Sequence, residues 1–299
     1  MNAWHTYLTF AVKSKLMINE QTSESKLPTE NSGKFSFFQS VLTLTVGFAT
    51  GVAAGLIGVG GGEFRMPYLM WLFKKNAKTA AAVNLIVGCF TVVFAFFKRW
   101  KSFAQIHTDD WILGVVFILA SLIGSYFGVR KVRLISNRII SAFIYIYLIV
   151  VGLWMLYEAV SQTEITSIAL SSYVKYTFAV VTGFLIAAIS VGIGVAGGEM
   201  RIPLLMYLFS LPIKTAGTIS LLVSIPTVFS GALTYRSYGY LPLKSIIIAV
   251  IMSVGSLSGI ILGVYFLGFA DKHTLKAILG SILLLASLML ILPGFHKRN

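Results

Sequence analysis

The sequence predicts an all-α integral membrane protein, a polytopic helical bundle made of two related halves. Hydrophobic residues make up 57% of its 299 residues and charged residues only 11%, whereas about a quarter of a soluble domain is charged. Apolar stretches long enough to cross a bilayer recur along the chain. An internal repeat then divides these stretches into two sets. Such a chain cannot build the polar surface that a soluble domain needs.

Each half contains apolar segments bounded by charged residues, in the order long, short, long, long, long. The predicted segments are Phe38–Gly58, Met66–Phe73, Thr79–Phe97, Trp111–Val129 and Ile139–Tyr157, then Tyr176–Gly194, Ile202–Leu211, Thr215–Tyr235, Leu243–Phe269 and Leu275–Leu292. The predicted organisation is a polar cytoplasmic tail (1–36), a first transmembrane repeat (37–157), an inter-repeat loop (158–175), a second transmembrane repeat (176–293) and a cytoplasmic C-terminal tail (294–299).

The two halves are a duplication. The run Gly61–Pro67 (GGEFRMP) aligns with Gly197–Pro203 (GGEMRIP) without a gap, and in the same register Lys78–Ala80 aligns with Lys214–Ala216. Apolar composition alone would make leucines coincide, but it would not place Glu, Arg and Pro in register.

The charge distribution favours a second copy that is inverted in the membrane. If the Gly-rich segment turns back to its starting side, each half contributes three further spans, and an odd number inverts the next copy. This arrangement places most Lys and Arg residues on the face of the N-terminal tail, whereas a single crossing splits them almost evenly. The positive-inside rule then puts both termini in the cytoplasm. Because the cations of the +14 net charge flank apolar segments, no nucleic-acid partner is expected.

A Gly-rich break interrupts the first helix of each half. Gly58, Gly60, Gly61 and Gly62 cannot lie inside a stable helix, since each Gly costs about 1 kcal/mol relative to Ala. Pro67 suits the first turn of a new helix, where its missing N–H is not needed. The second half repeats the pattern with Gly194, Gly197, Gly198 and Pro203. Non-helical backbone in a bilayer is tolerated only against protein or a polar cavity, so the breaks predict a binding site.

The residues around each break suit a small anion. A helix that begins near Gly62 presents free backbone N–H groups and the positive end of its dipole. Arg65 and Arg201 add guanidinium groups that bind oxyanions. In the alternative interpretation, each arginine only pairs with the neighbouring Glu63 or Glu199. These two glutamates are candidates for proton coupling, because burial and a nearby anion both favour the protonated carboxyl.

Polar residues at matching positions one helix later could donate hydrogen bonds to the same anion. They are Thr79, Asn84, Thr215 and Ser220. The alternative, which we favour for them, is helix capping and contact between helices. Two series of glycines, namely Gly47, Gly51 and Gly55, and Gly255, Gly259 and Gly263, predict close helix packing rather than chemistry.

No metal, cofactor or catalytic residue is predicted. Cys89 is the only cysteine, which excludes multi-cysteine metal sites, and its favoured role is that of a small buried hydrophobe. The four histidines lie in loops and termini with no pair at ligand spacing. Gly192–Gly197 matches the dinucleotide pattern G-x-G-x-x-G, but no predicted strand precedes it.

These motifs resemble the TauE/SafE family of sulfite exporters, also called the 4-toluene sulfonate uptake permease family. The resemblance rests on Gly47-Phe48-x-x-Gly51, Gly55-Leu-Ile-Gly58-Val-Gly60-Gly61-Gly62 and Pro67-x-Leu69, repeated with changes from Gly183-Phe184 to Pro203-x-Leu205. It implies transport of sulfite, sulfoacetate or other sulfonates across the bacterial inner membrane without ATP, by export and with proton coupling. Val191 and Ala196 stand where the family has glycine, so the two breaks are not expected to contribute equally.

Residues and resemblance together predict a secondary transporter that moves a small sulfur-containing anion by alternating access. Its expected partners are that anion, protons and the lipid bilayer, and a homodimer is left open. The alternatives are an uncoupled anion channel, an uptake carrier for thiosulfate or another organic anion, and an intramembrane enzyme. The enzyme is disfavoured because the sequence contains no paired catalytic constellation.

Overall fold

The helices of both halves follow the predicted order. A computed structural model describes residues 37–72, 77–100, 108–131, 137–162 and 171–291, and within these ranges every regular element is an α-helix. The first half contains α1 (Phe37–Leu56), α2 (Gly62–Leu72), α3 (Ala77–Lys98), α4 (Thr108–Lys131) and α5 (Asn137–Ser161). The second half contains α6 (Ser172–Ile193), α7 (Gly198–Tyr207), α8 (Ile213–Ser237), α9 (Leu243–Phe269) and α10 (Lys272–Ile291). The predicted tails, 1–36 and 294–299, lie outside the described residues.

The chain is a multi-pass helical membrane protein, as predicted. Among the described residues, six helices are long and apolar enough to cross a bilayer, namely α1, α3, α4, α6, α8 and α9. Large apolar side chains such as Phe90, Leu119 and Val150 are exposed on the outer surface, as a lipid-facing surface requires. The interior contains apolar side chains together with buried polar residues such as Thr50, Ser224 and Thr227.

The first break turns the chain back on itself. The Thr43 and Tyr68 hydroxyl groups lie 2.8 Å apart, and Gly61 packs against Thr50 further along α1. As the residue number increases along α1, the residue number of the contacting partner decreases towards the start of α2, so the two helices are antiparallel.

Helices that correspond in the two halves also run in opposite directions where they touch. Gly88 of α3 lies against Val228 of α8, and Gly231 lies against Leu85. Corresponding spans must be antiparallel in an inverted repeat and parallel in a repeat about the membrane normal. The inverted topology stays a prediction, which these directions support.

Close packing joins the first helix of each half to the fourth helix of the other. A Cβ on Gly51 would lie 2.1 Å from the Ser256 carbonyl oxygen, and one on Gly259 would lie 2.1 Å from that of Phe48. Gly128 meets Ala188 in the same way between α4 and α6. The predicted packing role of the two glycine series is confirmed, since only a missing side chain permits this approach.

We expect Gly51→Ala to lower stability in detergent, while Gly268→Ala does not. The methyl group at position 51 meets backbone at 2.1 Å, and overpacking of this kind costs about 1–3 kcal/mol. A Cβ on Gly268 would have no neighbour within 4 Å, so its replacement gains helix propensity without a clash. Thermal unfolding of the two purified variants measures the difference. Equal melting temperatures would contradict a tight contact between α1 and α9.

Candidate functional site

Glycines in left-handed backbone conformations form both helix breaks. The φ angles are +96° at Gly58, +94° at Gly60 and +70° at Gly61, and +87° and +77° at Gly194 and Gly197. L-residues rarely adopt these angles, whereas glycine does so without steric cost. Helix α2 begins at the residue after Gly61, and α7 at the residue after Gly197. The sequence therefore placed the breaks correctly.

The two breaks lie against each other. A Cβ on Gly60 would lie 3.2 Å from the Ala196 side chain, and one on Gly198 would lie 2.3 Å from the Val59 carbonyl oxygen. The N-terminus of α7 thus touches the first break, as the duplication predicts. This contact brings together chemistry that is far apart in the sequence.

The prolines lie deeper in the short helices than the sequence analysis expected. Pro67 and Pro203 are each the sixth residue of their helix, α2 and α7, so the expected position in the first turn is wrong. The helical conformation resumes as soon as the last left-handed glycine is passed, which starts the helix earlier. Each proline then lacks the N–H that would bond to the carbonyl of Glu63 or Glu199 four residues before it.

Arg65 is fully engaged by the first half and by α9. Its side chain is 1% exposed, and Nε donates to Asn84 Oδ1 at 2.9 Å. Nη1 donates to Thr91 Oγ1 at 3.0 Å and to Ser256 Oγ at 3.4 Å, and Nη2 donates to the Gly60 carbonyl at 2.7 Å. All three nitrogens have an acceptor, so Arg65 braces the first break.

Asn84 links the two breaks. While its Oδ1 accepts from Arg65, its Nδ2 donates to the Gly62 carbonyl at 3.0 Å and to the Gly194 carbonyl at 2.8 Å. The interpretation that this residue makes contacts between helices is thus confirmed. One amide group satisfies the guanidinium of the first half and carbonyl groups of both halves.

Arg201 is less well satisfied than Arg65. Its Nη1 donates to the Ser220 carbonyl at 3.0 Å and to Ser224 Oγ at 2.9 Å, and Nη2 donates to the Ala196 carbonyl at 3.4 Å. Its Nε and the Ser220 hydroxyl are buried without a partner. Ser220 aligns with Asn84, and a serine side chain is too short to reproduce the amide bridge. The second half therefore keeps unused donors around Arg201, whereas each side-chain nitrogen of Arg65 and Asn84 has an acceptor.

The carboxyl groups of Glu63 and Glu199 interact with each other across the two breaks. The Glu199 carboxyl lies within hydrogen-bonding reach of Glu63, and no N–H or O–H group donates to either Glu63 oxygen or to Glu199 Oε2. Within the described residues neither glutamate forms an ion pair with Arg65 or Arg201. The proposed pairing of each arginine with its neighbouring glutamate is wrong, because residues two positions apart on a helix do not face each other.

Thr79 and Thr215 lie away from this group. Each is the third residue of its helix, α3 or α8, and so lies roughly 7 Å along the helix axis from Asn84 or Ser220. Their assignment as ligand residues stays a prediction. Cys89 is free and buried, in agreement with its expected role as a small apolar side chain.

Two buried charged groups were not predicted as functional. Arg99 follows α3 and is 1% exposed, whereas the sequence analysis treated the cations only as residues that flank apolar segments. Glu158, assigned to the inter-repeat loop, is buried and pairs with Lys276 Nζ at 2.8 Å, and its Oε2 also accepts from the Tyr207 hydroxyl at 3.0 Å. This second group ties the end of α7 to α5 and α10. One signal in the sequence could have identified Arg99: the aligned residue in the second half is the neutral Tyr235.

Comparison with known proteins identifies relatives over nearly the whole chain. The family model described as "Sulfite exporter TauE/SafE" matches residues 42–290, which include every predicted site residue. The probable membrane transporter protein MJ0441 of Methanocaldococcus jannaschii is 28% identical over 267 residues, 84% of this chain and 95% of that protein. The probable membrane transporter proteins YunE and YdhB of Bacillus subtilis are 22% and 24% identical over 86% and 84% of this chain, and 99% and 100% of those proteins. No solved structure matches.

Proposed function

Because this chain belongs to the TauE/SafE sulfite exporter family of membrane transporters, we propose that it moves a small sulfur-containing anion, such as sulfite, sulfoacetate or another sulfonate, across the inner membrane as a proton-coupled secondary transporter. One observation carries this proposal. The carboxyl groups of Glu63 and Glu199 interact where the two helix breaks touch, and among the described residues neither Glu63 oxygen nor Glu199 Oε2 has a hydrogen-bond donor. Intramembrane ionisable groups are costly, and they mark ion pathways.

The anion would bind mainly at the second break. Arg201 Nε and the Ser220 hydroxyl are buried and have no partner among the described residues, and no side chain caps the N-terminus of α7 at Gly197. An oxyanion would satisfy these donors together. The glycines of both breaks and Arg65 would shape the site, and Asn84 would hold the breaks in register.

The carboxyl pair would carry the proton. Two carboxyl groups in contact would repel each other strongly if both were ionised, so the pair would share one proton. A bound anion nearby further favours the protonated form, and by linkage the proton favours the anion equally.

Most of the site residues are buried, so binding and release would need a conformational change. Glu199 and Arg201 are buried, as is Asn84. Alternating access would open the contact between the two repeats towards one face at a time. We place both termini in the cytoplasm, in line with the charge distribution. An uncoupled channel would need no such closed state.

Uptake of thiosulfate or another organic anion is the second candidate. Export is what the family description implies, whereas linkage between proton and anion binding favours their movement in the same direction. An inward proton gradient would then drive uptake. The direction of flux under an imposed gradient separates the two.

We expect Arg201→Ala to lower anion flux by about tenfold or more, because the loss of a charge-assisted hydrogen bond costs about 1.5–3 kcal/mol. Proteoliposomes loaded in turn with sulfite, thiosulfate or sulfoacetate, under an imposed pH gradient, measure this flux. Arg236→Ala is the control, since Arg236 is exposed at the end of α8. Flux that exceeds carrier turnover would favour a channel, and absence of flux with all three anions would reject the proposed cargo.

A further inference from the structure

Arg99 occupies a buried position between the first break and the start of α8. A Cβ on Gly58 would lie 2.9 Å from Arg99 Nη1, and one on Gly217 would lie 3.1 Å from both Nη1 and Nη2. Nη2 donates to the Lys214 carbonyl at 2.9 Å. The guanidinium therefore fits between two backbone segments that have no side chains there, and larger residues at positions 58 and 217 would displace it.

Most donors of this guanidinium are unused. Nε and Nη1 are buried and have no hydrogen-bond partner, which leaves one N–H on Nε and two on Nη1. Within the part of the chain that the structure describes, no carboxylate forms an ion pair with Arg99. A buried cation without an anion is strongly unfavourable. Such a group persists where a ligand supplies the missing charge.

Capping of α1 does not account for Arg99. A cation near a helix C-terminus is stabilised by the helix dipole, and α1 ends close by. However, the hydrogen bond recorded for the guanidinium goes to Lys214 at the start of α8. The remaining donors are not directed to an α1 carbonyl.

The second half has no equivalent cation. Tyr235 aligns with Arg99, and its hydroxyl donates to the Gly192 carbonyl at 2.7 Å. The second half thus has a neutral tyrosine, whose hydroxyl makes a hydrogen bond, at the position where the first half has an arginine with unused donors. The backbone contact between Gly58 and Gly217 recurs in the other half between Gly194 and Ala81, which occupy the aligned positions. A structural requirement of this contact would therefore call for a cation in both halves.

We propose that Arg99 forms a second anion-binding station, separate from Arg201 and the central carboxyl pair, at the end of the pathway where α3 finishes and α8 starts. The ligand is a small oxyanion of the transported class, held by the free N–H groups of Nε and Nη1. This inference rests on the proposed anion transport, because the station holds the anion before or after it reaches the breaks. In the proposed topology it faces away from the cytoplasm.

The test compares substrate addition from the two faces of oriented proteoliposomes. Arg99→Gln keeps the size and some donors but removes the charge, and the loss of a charge-assisted bond predicts an increase of about tenfold in the apparent KM for sulfite or thiosulfate added on the Arg99 face. The KM from the opposite face and the maximal flux should stay near wild type. A KM that is unchanged on both faces, or raised equally on both, would overturn the station.

Anion binding separates failure of the station from failure of the proposed function. In detergent, sulfite and thiosulfate should raise the melting temperature of Arg201→Ala, which keeps the station, more than that of the double variant Arg99→Gln with Arg201→Ala. If the two melting temperatures rise equally, the station is overturned even when wild type transports the anion. If they differ but wild type moves no anion, the station binds anions and the proposed transport is rejected. If Arg99→Gln does not fold, Arg99→Lys replaces it, because lysine keeps the charge but lacks Nε. A smaller rise in melting temperature with the anion in that variant then supports the station, and an equal rise overturns it.

Discussion

Glu199→Gln is expected to abolish the response of anion flux to a pH gradient while leaving exchange of anions at equal pH. Glutamine has almost the same shape as glutamate but cannot take up and release a proton. Since Glu199 lies within hydrogen-bonding reach of Glu63 and neither finds another side-chain donor, the proposed proton belongs to the pair. We expect the gradient-driven component to fall by about tenfold or more, a change of roughly 1.4 kcal/mol. Flux of labelled sulfite with and without the gradient measures it.

The controls separate coupling from folding. Glu63→Gln should have the same effect as Glu199→Gln, and the double variant should be no worse than either, because residues that act as one unit are not additive. Asp271→Asn is the matched exchange of a carboxylate: Asp271 is exposed and accepts from the His273 backbone at 3.0 Å, a cap that Asn can replace. If Glu199→Gln still responds to the gradient, the carboxyl pair is structural and the proton mechanism is wrong.

The sequence was sufficient for the architecture because the signals there are local. Apolar runs set the long helices, and the glycine clusters at Gly58–Gly62 and Gly194–Gly198 end α1 and α6. Register between the halves followed from the aligned Glu, Arg and Pro residues. Each of these features depends on neighbours within a few residues, which a single sequence records.

Side-chain partners were harder to predict because they depend on contacts between the halves. Asn84 bonds to Gly194, and Arg65 reaches Ser256, far along the chain. The predicted pairing of each arginine with the nearest glutamate was wrong because the partners of both residues lie elsewhere in the chain. Their spacing of two residues on a helix already argued against the pairing. Arg99 follows Lys98 at the end of an apolar segment, where a cation is usual, and burial at a helix end leaves no local pattern in the sequence.

Gly194→Ala is expected to be the most destabilising single substitution of the second break. Gly194 has a φ of +87°, which costs an L-residue about 1–2 kcal/mol. An added Cβ would also lie 2.2 Å from the Ala81 side chain, and overpacking costs about 1–3 kcal/mol more. We therefore expect a loss of about 2–5 kcal/mol in unfolding free energy, read from thermal or denaturant unfolding in detergent.

Two further variants divide this loss into its causes. Gly239→Ala tests backbone strain alone, because Gly239 has a φ of +72° but no atom within 4 Å of an added Cβ. The pair Ala81→Gly with Gly194→Ala removes the methyl group at 2.2 Å but leaves the backbone Cα of residue 81 at 2.5 Å from the added Cβ, so the double variant should recover only part of the overpacking and stay less stable than Gly239→Ala. If Gly194→Ala alone costs no more than Gly239→Ala, α3 does not press on the second break. Asn84, one turn further along α3, would then lack the fixed distance that its bond to the Gly194 carbonyl requires.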